Sequence, residues 1–265
     1  MPSFLELEAY LGGAFLHPGG RVTTDVLIDA LRVRTSDTVL DLGCGVGGTA
    51  VMLAGQTGAR VVALDASAMM LRRARAAAPS GASLCWVRAD ARATLPFQSD
   101  SFDAAYAESV VALLDPDFAI SELARVLRPG GRLVLNERIW KPGTSAASVR
   151  SVNVRSLRAL GIPAAAEEPR DVSSWLCALS RRGFDHLQVT PVDDLLAVEP
   201  HGRAHSARPL RAARYLARPS MLAHSMRAKW MMRRYVPDWS LMECYLFTAR
   251  RSESPDASRA DHAGV

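Results

Sequence analysis

Three aspartates follow short apolar runs in the first half of the chain, and a glycine-rich stretch lies beside the first of them. Asp41 precedes the letters GCGVGG, Asp65 ends the run RVVALD, and Asp90 ends the run CWVRAD. Carboxylates bind ammonium or sulfonium groups, sugar hydroxyls and amino groups, and neighbouring glycines let a ligand approach the backbone closely. The pattern predicts a site for a positively charged nucleoside with an amino-bearing base.

The same glycines also fit a dinucleotide-binding pattern. Gly43, Gly45 and Gly48 satisfy G-x-G-x-x-G, which by itself indicates only a tight turn before a helix whose free N–H groups attract negative charge. Asp41 stands where such a site normally has an apolar residue, and its carboxylate would repel a pyrophosphate. Because the chain also lacks a downstream Tyr-x-x-x-Lys sequence, an NAD-dependent oxidoreductase is disfavoured.

The elements that carry these residues alternate between two types. From about Thr38, short β-branched runs such as TVLDLG and RVVALD alternate with helical runs such as SAMMLRRARAAAP and DFAISELARVL. This alternation predicts βαβ crossovers and a parallel sheet covered on both faces. In such a sheet Asp41, Asp65 and Asp90 would line one crevice at the carboxyl ends of adjacent strands.

At this point the sequence resembles the class I S-adenosylmethionine-dependent methyltransferases of the small-molecule type. VLDLGCGVGG, VVALDAS, VRADARATLPF, SFDAAYAESVVALL and ELARVLRPGGRLVL are similar to successive motifs of that family. The resemblance is specific from about Leu16 to Glu137 and looser from about Asp171 to Arg251. It implies an α/β fold, Rossmann-like and doubly wound. The sheet would be seven-stranded and mostly parallel, with an antiparallel last strand. Two additions to this core are expected: an N-terminal helix and a helical lid insertion between the last two strands.

The resemblance also implies a cofactor, S-adenosylmethionine, and the residues that would bind it. A further segment, FLHPGGR, resembles one that covers the methionine part of the cofactor in small-molecule members, although a simple turn leading into a helix is an alternative reading. No metal site is predicted. The implied cofactor-binding residues are Asp41, Gly43, Cys44, Gly45 and Gly47 for the methionine end, Asp65 and Ala66 for the ribose, Asp90 and Ala91 for the adenine, and Gly19 and Gly20 for the covering segment.

Candidate catalytic residues follow the fourth predicted strand. A sulfonium methyl is already electrophilic, so the protein mainly has to orient the acceptor and exclude water, and a base is needed only where the acceptor loses a proton. Glu108 is similar to the acid of a Glu-Ser or Glu-Ala pair in relatives that methylate carbon and in some that methylate nitrogen, although the spacing here is one residue shorter than in several of them. A cap on the next helix is the alternative. Tyr106 could offer its ring face to the sulfonium or simply pack. Glu137 is also expected to point toward the crevice.

Domain organisation follows from composition. The chain is predicted to form a single domain over 1–251, with a core at about 16–137, a lid at about 199–239, and a disordered polar tail at 252–265. The whole chain has a net charge of +5. Residues 201–240 alone carry +8, because they contain nine basic residues and one acidic residue. If the arginines of this segment turn inward, they would favour an apolar substrate that carries an anionic group; alternatively they lie in solvent.

These observations favour a methyltransferase acting on a small molecule, expected to be a specialised metabolite. Three alternatives remain: a methyltransferase acting on RNA or another macromolecule through the basic insertion, a cofactor-binding protein without turnover, and the disfavoured oxidoreductase. Neither a membrane span nor a secretion signal is recognised, so a cytoplasmic location is expected. Homodimer formation, and the choice of oxygen, nitrogen or carbon as acceptor, are left open.

Overall fold

The computed structural model describes residue 15, residues 17–198, residue 230 and residues 240–253. The predicted lid at 199–239 lies outside the described residues except for residue 230, as does the predicted tail beyond residue 253. What can be compared with the sequence is therefore the sheet, its flanking helices and the crevice at the carboxyl ends of the strands.

One sheet of seven strands organises the described part of the chain, in the order β3-β2-β1-β4-β5-β7-β6. Neighbouring strands from β3 to β5 pair in parallel, whereas β7 is antiparallel to both β5 and β6. The predicted mostly parallel sheet with an antiparallel last strand is confirmed. The strands are β1 (Thr38–Leu42), β2 (Arg60–Asp65), β3 (Leu84–Arg88), β4 (Phe102–Glu108), β5 (Leu127–Trp140), β6 (Phe184–Pro191) and β7 (Met242–Arg251).

Helices cover the two faces of the sheet. Their boundaries follow local chemistry: Ser67 and Asp115 accept backbone N–H groups at two helix starts, and Gly58 ends another helix in a left-handed conformation. The helices between residues 17 and 198 are α1 (Gly20–Leu31), α2 (Gly48–Thr57), α3 (Ala68–Ala77), α4 (Pro116–Val126), α5 (Ala146–Leu160), α6 (Val172–Arg181) and α7 (Val192–Val198), and a 3₁₀ turn is formed by Val111–Leu113.

The two faces bury separate apolar clusters, which explains why the central strands are apolar almost throughout. Leu27 of α1 and Leu53 of α2 pack against one face together with Tyr106. On the other face, Leu123 of α4 and Trp175 of α6 pack against the remaining strand residues. Burial on both faces of the central strands β1, β2 and β4 is what a doubly wound sheet requires.

Two segments differ from the sequence-based expectation. β5 continues to Trp140 instead of ending near Glu137, because its last residues pair with the start of β7, a partner about a hundred residues away in the chain. Asp90, expected to end β3, lies two residues beyond it in a turn. Among the helices described, none is long and apolar enough to cross a membrane.

Candidate functional site

The glycine loop joins β1 to α2 at the carboxyl edge of the sheet. Gly43, Gly45 and Gly47 have φ angles of +76°, +53° and +75°, which residues with a side chain rarely adopt. The N–H groups of Gly43 and Cys44 donate to the carbonyl oxygen of Leu64 at 2.8 and 2.9 Å. The loop is thereby tied to β2 in the bend that the glycines were expected to form.

Space around the glycines differs from one to the next. A Cβ atom on Gly43 would lie 2.3 Å from the Val110 side chain, and one on Gly47 would lie 2.4 Å from Trp86. A Cβ atom on Gly45 would meet no protein atom within 4 Å. Gly43 and Gly47 are therefore closely packed by protein, while Gly45 faces open space at the crevice.

Asp65, at the end of β2, braces this loop. Its Oδ2 accepts the N–H of Gly45 at 2.9 Å, and its Oδ1 accepts the N–H of Ser67 at 2.7 Å. The half-buried carboxylate thus joins the glycine loop to the start of α3, which Ser67 caps. A carboxylate oxygen accepts more than one hydrogen bond, so a ligand hydroxyl can share these two oxygens with the backbone. Ala66, predicted beside Asp65 at the ribose, lies between the two bracing contacts and is exposed.

Asp41 is buried in β1, directly opposite Tyr106 in β4. Burial raises the pKa of Asp41 well above its usual value, an effect that the charges of Glu108 and Asp65 reinforce and the Tyr106 hydroxyl opposes. Neither Asp41 Oδ2 nor the Tyr106 hydroxyl makes a hydrogen bond of standard geometry with a described residue. A buried acceptor of this kind is stabilised by a positively charged donor.

The other predicted residues around Asp41 and Asp90 have different environments. Burial, reinforced by Asp41 and Asp65, raises the pKa of the Cys44 thiol, so this thiol stays protonated and packs beside the loop. The Asp90 side chain is 43% exposed and pairs with Arg92 at 2.6 Å, and the hydrogen bonds from Arg92 lower the pKa of Asp90 to about 2. Ala91 packs at the edge of the core.

The strand order places the three aspartates as the sequence indicated. β1, β2 and β3 are neighbours and parallel, so Asp41, Asp65 and Asp90 follow one another along the carboxyl edge of the sheet. Their exposure rises in the same order, from buried through half-buried to exposed. The crevice therefore has a buried end at β1 and an open end at β3.

The covering segment enters α1 through two glycines. Gly19 and Gly20 have φ angles of +77° and +53°, and α1 begins without a side-chain cap. A Cβ atom on Gly19 would lie 2.2 Å from the Thr23 side chain, whereas Gly20 has no neighbour within 4 Å. The turn is closed by a hydrogen bond from the Gly20 N–H to the His17 carbonyl oxygen at 3.2 Å.

Glu108, at the end of β4, is the centre of a polar cluster that the sequence does not reveal. Its Oε1 lies 3.1 Å from His17 Nε2 and accepts from the Thr24 hydroxyl at 3.2 Å, while its Oε2 accepts from the Thr49 hydroxyl at 2.6 Å. The Glu108 and His17 side chains are only 9% and 6% exposed. The cluster connects the covering segment, α1 and the first turn of α2.

Asn136 extends the cluster from β5. It is fully buried, and its Nδ2 lies 3.1 Å from the Pro18 carbonyl oxygen, 3.1 Å from Thr23 Oγ1 and 3.2 Å from His17 Nδ1. These partners of Glu108 and Asn136 all come from distant parts of the chain. Sequence spacing therefore gave no signal for His17, Thr24, Thr49 or Asn136.

Glu137, the next residue of β5, serves a different purpose. Its Oε1 accepts the N–H groups of Val110 and Val111 at 3.0 and 2.9 Å, and its Oε2 accepts that of Ala112 at 3.2 Å. Burial raises the pKa of Glu137 to about 7 against the opposing effect of these hydrogen bonds. The side chain holds the 3₁₀ turn that follows β4.

Comparisons with known proteins agree with this geometry. Residues 40–135 match the family model described as a methyltransferase domain. The chain is 34% identical over 183 residues to the methyltransferase GfsG of Streptomyces halstedii, covering 68% of this chain and 64% of that protein. The chain thus spans slightly less than two thirds of the length of this curated relative.

Solved structures share the fold at low sequence identity. Phosphoethanolamine N-methyltransferase 2 of Haemonchus contortus, solved with S-adenosyl-L-methionine, superposes with a TM-score of 0.69 at 22% identity, covering 94% of this chain and 56% of that chain. The cyclase SpnF superposes with a TM-score of 0.67 at 22% identity, covering 96% of this chain and 97% of that chain. The matched motifs, the related sequence and the fold together show that this chain belongs to the class I S-adenosylmethionine-dependent methyltransferase family.

Proposed function

We propose that the chain transfers a methyl group from S-adenosylmethionine to a small-molecule acceptor, expected to be a specialised metabolite. The observation that carries this proposal is the buried carboxylate of Asp41 beside the glycine loop. Its Oδ2 atom makes no hydrogen bond of standard geometry with a described residue, and the carboxylate faces the Tyr106 hydroxyl of the neighbouring strand. Family membership and the geometry of the crevice point to the same cofactor.

The residues present fit the groups that this cofactor offers. Asp41 would hold the amino group of the methionine end, Asp65 the ribose hydroxyls and Asp90 the amino group of the base. Carboxylates suit each of these donors, whereas they would repel the pyrophosphate of a dinucleotide. The free N–H groups at the start of α1, beyond Gly19 and Gly20, suit the carboxylate of the methionine end.

When bound, the cofactor supplies an electrophilic methyl group on a sulfonium. The protein then has to orient the acceptor and exclude water. Asp65 fixes the glycine loop through its two backbone hydrogen bonds, and Glu137 fixes the turn after β4 through three. The acceptor would lie over the ends of β4 and β5, between these two rigid supports.

The acceptor class rests on the relatives and on charge. The named activity of the Haemonchus contortus protein concerns a small molecule, and nine basic residues at 203–234 would suit an anionic group on the substrate. The same basic segment supports the second candidate, a methyltransferase that acts on RNA. The fold alone does not establish methyl transfer, because the cyclase SpnF has the same fold.

Titration calorimetry with S-adenosylmethionine and S-adenosylhomocysteine tests the proposal. The wild type is expected to bind both, and Asp65→Ala is expected to weaken both by roughly a hundredfold, since it removes the loop brace and the ribose acceptor. Asp25→Ala, which removes an exposed carboxylate paired with Arg21, is the control and should bind like the wild type. Absence of heat with the wild type would refute the proposal.

A separate titration distinguishes a small-molecule acceptor from RNA. Binding to mixed RNA is measured between low and physiological salt, because each phosphate contact adds to the slope of affinity against salt concentration. A weak response with a flat slope is expected. Tight binding with a steep slope would favour the RNA methyltransferase instead.

A further inference from the structure

We propose that cofactor binding releases a proton from Asp41: its carboxyl group is protonated in the ligand-free protein and becomes a carboxylate when the ammonium group of the methionine end takes the place of that proton. The inference rests on the proposed function and adds to it a dependence of cofactor affinity on pH. The consequence is measurable, since the affinity for any ligand that carries this ammonium group then rises with pH.

The hydrogen-bond donors in the pocket are unevenly distributed among its carboxyl groups. Asp65 accepts two backbone N–H groups, at 2.9 and 2.7 Å, and Glu108 accepts two threonine hydroxyls, at 3.2 and 2.6 Å. Asp41 Oδ2 accepts no hydrogen bond of standard geometry from the described residues. Because donors stabilise the charged form of a carboxyl group, Asp41 is the one of these groups whose charged form has the least support.

The position of Asp41 in the sheet adds to this difference. Its residue is only 3% exposed, and its register partners are Ala63 in β2 and Tyr106 in β4. The strands on both sides keep water away from the carboxyl group, and a buried carboxyl group without a donor keeps its proton because the isolated charge would be costly. Burial accordingly raises the pKa of Asp41 well above its usual value.

The titratable neighbours of Asp41 on the strands and the loop do not reverse this effect. The charges of Glu108 and Asp65 raise the pKa of Asp41 further, and the Tyr106 hydroxyl lowers it. Cys44 in the glycine loop is a further titratable neighbour, and burial raises the pKa of its thiol as well. Among the described residues, the neighbours that shift the pKa of Asp41 are thus acids and a hydroxyl, and none is a cation.

The elements that cover this face leave the balance unchanged. α2 contains no titratable residue. α1 carries Arg21, Asp25 and Asp29, of which the first two pair with each other at 3.0 Å in an exposed position. His17 of the covering segment contacts Glu108, at 3.1 Å. We therefore expect the positive charge opposite Asp41 to come from the ligand.

The ammonium group of the methionine end supplies the donor that the pocket lacks. It stabilises a carboxylate through both a hydrogen bond and its charge. When it binds, the O–H bond of Asp41 breaks, the electron pair of that bond stays on oxygen, and the proton passes to the solvent. The bound state holds a carboxylate and an ammonium group where the free protein held a neutral carboxyl group, so each bound ligand releases a proton.

Titration calorimetry with S-adenosylhomocysteine counts this proton. The heat is compared in buffers of different ionisation enthalpy, because the buffer takes up the released proton and adds its own heat. We expect release of about one proton per ligand, and a dissociation constant that falls by up to about tenfold for each unit of pH between about pH 6 and pH 8. 5′-Methylthioadenosine, which has the nucleoside but lacks the ammonium group, is the matched control ligand and should release no proton.

Asp41→Asn removes the proton that is to be released. This variant is expected to bind S-adenosylhomocysteine more weakly than the wild type, with a heat that no longer depends on the buffer. Infrared difference spectroscopy follows the same proton without using heat. The carbonyl stretch of a protonated carboxyl group should disappear when the ligand binds to the wild type, and this change should be missing in Asp41→Asn. The spectrum thereby identifies Asp41, and not the ligand, as the source of the proton.

The outcomes separate this inference from the proposed function. Heat that is the same in all buffers, equal proton release with 5′-methylthioadenosine, or a carboxyl stretch that persists in the complex would each overturn the inference, although the cofactor would still bind. If Asp41→Asn did not fold, the two ligands and the infrared spectrum of the wild type would decide the question without it. Absence of binding to the wild type would instead contradict the proposed function.

Discussion

The ends of β4 and β5 each carry a glutamate, and the two carboxylates have different partners. Glu108 accepts hydrogen bonds from side chains of the covering segment, α1 and α2, whereas Glu137 accepts three backbone N–H groups of the turn at 110–112. Glu108 is in register with Asn136, so Glu137, one residue further, points to the opposite face. The face of the sheet, more than the strand end, decides what such a carboxylate can do.

The comparison separates support from electrostatics at the crevice. Glu137 stabilises the turn at 110–112 through three backbone hydrogen bonds, and its loss should appear mainly in the free energy of unfolding. Glu108 and Asp41 lie on the α1 and α2 face, next to the glycine loop, and their loss should appear mainly in ligand binding. Substitutions on the two faces are therefore expected to affect different measurements.

The largest effect is expected for Glu137→Ala. It leaves three buried backbone N–H groups without an acceptor, and the free energy of unfolding should fall by about 3 kcal/mol or more, as measured by urea denaturation. Glu137→Gln keeps one oxygen that can accept from Val110 and Val111 and should cost about half as much. If Glu137→Ala left the free energy of unfolding unchanged, the supporting role would be contradicted.

The pKa of Glu137 adds a pH dependence to the same experiment. Burial raises the pKa to about 7 from a usual value of 4.5, so the folded state retains a proton that the unfolded state has lost between these values. The free energy of unfolding should therefore fall as pH rises from about 4.5 to about 7 and level off above it. Glu137→Gln should reduce this slope; an unchanged slope would assign it to other groups.

The next effect contrasts two glycines of one loop. Gly47→Ala would place a Cβ atom 2.4 Å from Trp86 and 3.1 Å from the Ala74 side chain, and it should lower the free energy of unfolding by roughly 2–3 kcal/mol. Gly45→Ala meets no protein atom within 4 Å and should cost about 1 kcal/mol for its positive φ alone.

For ligand binding we expect the opposite order, with a larger effect of Gly45→Ala than of Gly47→Ala. A methyl group at Gly45 would project into the crevice, so Gly45→Ala is expected to weaken S-adenosylhomocysteine more than Gly47→Ala does, once each variant is measured well below its unfolding temperature. Calorimetric titration of both variants gives the comparison. Equal affinities would indicate that Gly45 does not border the ligand.

The sequence predicted the glycine loop and the order of the aspartates well because these depend on local spacing. Asp41 and Asp65 are fixed by their positions in short strands, and the strand order follows from the βαβ pattern. The partners of Glu108 and Glu137 could not be predicted in the same way. His17 and Thr49 reach Glu108 from segments 91 and 59 residues away in the chain, and only the folded sheet brings them together.

A similar reason applies to Tyr106. Its position in the motif left two readings open, a ring face directed at the sulfonium or a packing role. The ring packs in the apolar cluster under α1 and α2, as the second reading has it, and its hydroxyl faces Asp41. Because side chains alternate between the two faces of a strand, the sequence could have indicated that Tyr106 and Glu108 share a face. It could not have indicated that two helices cover the Tyr106 ring.

Asp41→Asn is expected to change stability and binding in opposite directions. Burial raises the pKa of Asp41, so the folded state keeps a proton that the unfolded state loses as pH rises above the usual value of 3.8. The free energy of unfolding therefore falls over that range, and asparagine removes this contribution. The ligand-free variant should be about 1 kcal/mol more stable at neutral pH, with its melting temperature the measured quantity.

Cofactor binding should fall in the same variant. Asparagine cannot offer a negative charge to an amino group, so S-adenosylmethionine is expected to bind roughly tenfold more weakly. A variant that lost both stability and affinity would indicate that Asp41 has a structural role in the loop instead of an electrostatic role toward the ligand.

Asp90→Asn is expected to have the smallest effect, because Asp90 lies at the open end of the crevice. Its carboxylate pairs with Arg92 in an exposed position, and exposed ion pairs contribute less than about 1 kcal/mol, so the melting temperature should hardly change. The amide can still accept a hydrogen bond from the base, and the affinity for S-adenosylhomocysteine should fall by only about threefold. Asp90→Ala removes the acceptor and should weaken binding further at the same stability. Because exposure rises from Asp41 to Asp90, the three aspartates would then show a graded response, with the largest stability change at the buried end. If Asp90→Asn shifted the melting temperature by as much as Asp41→Asn does, exposure could not explain the different responses of the two residues.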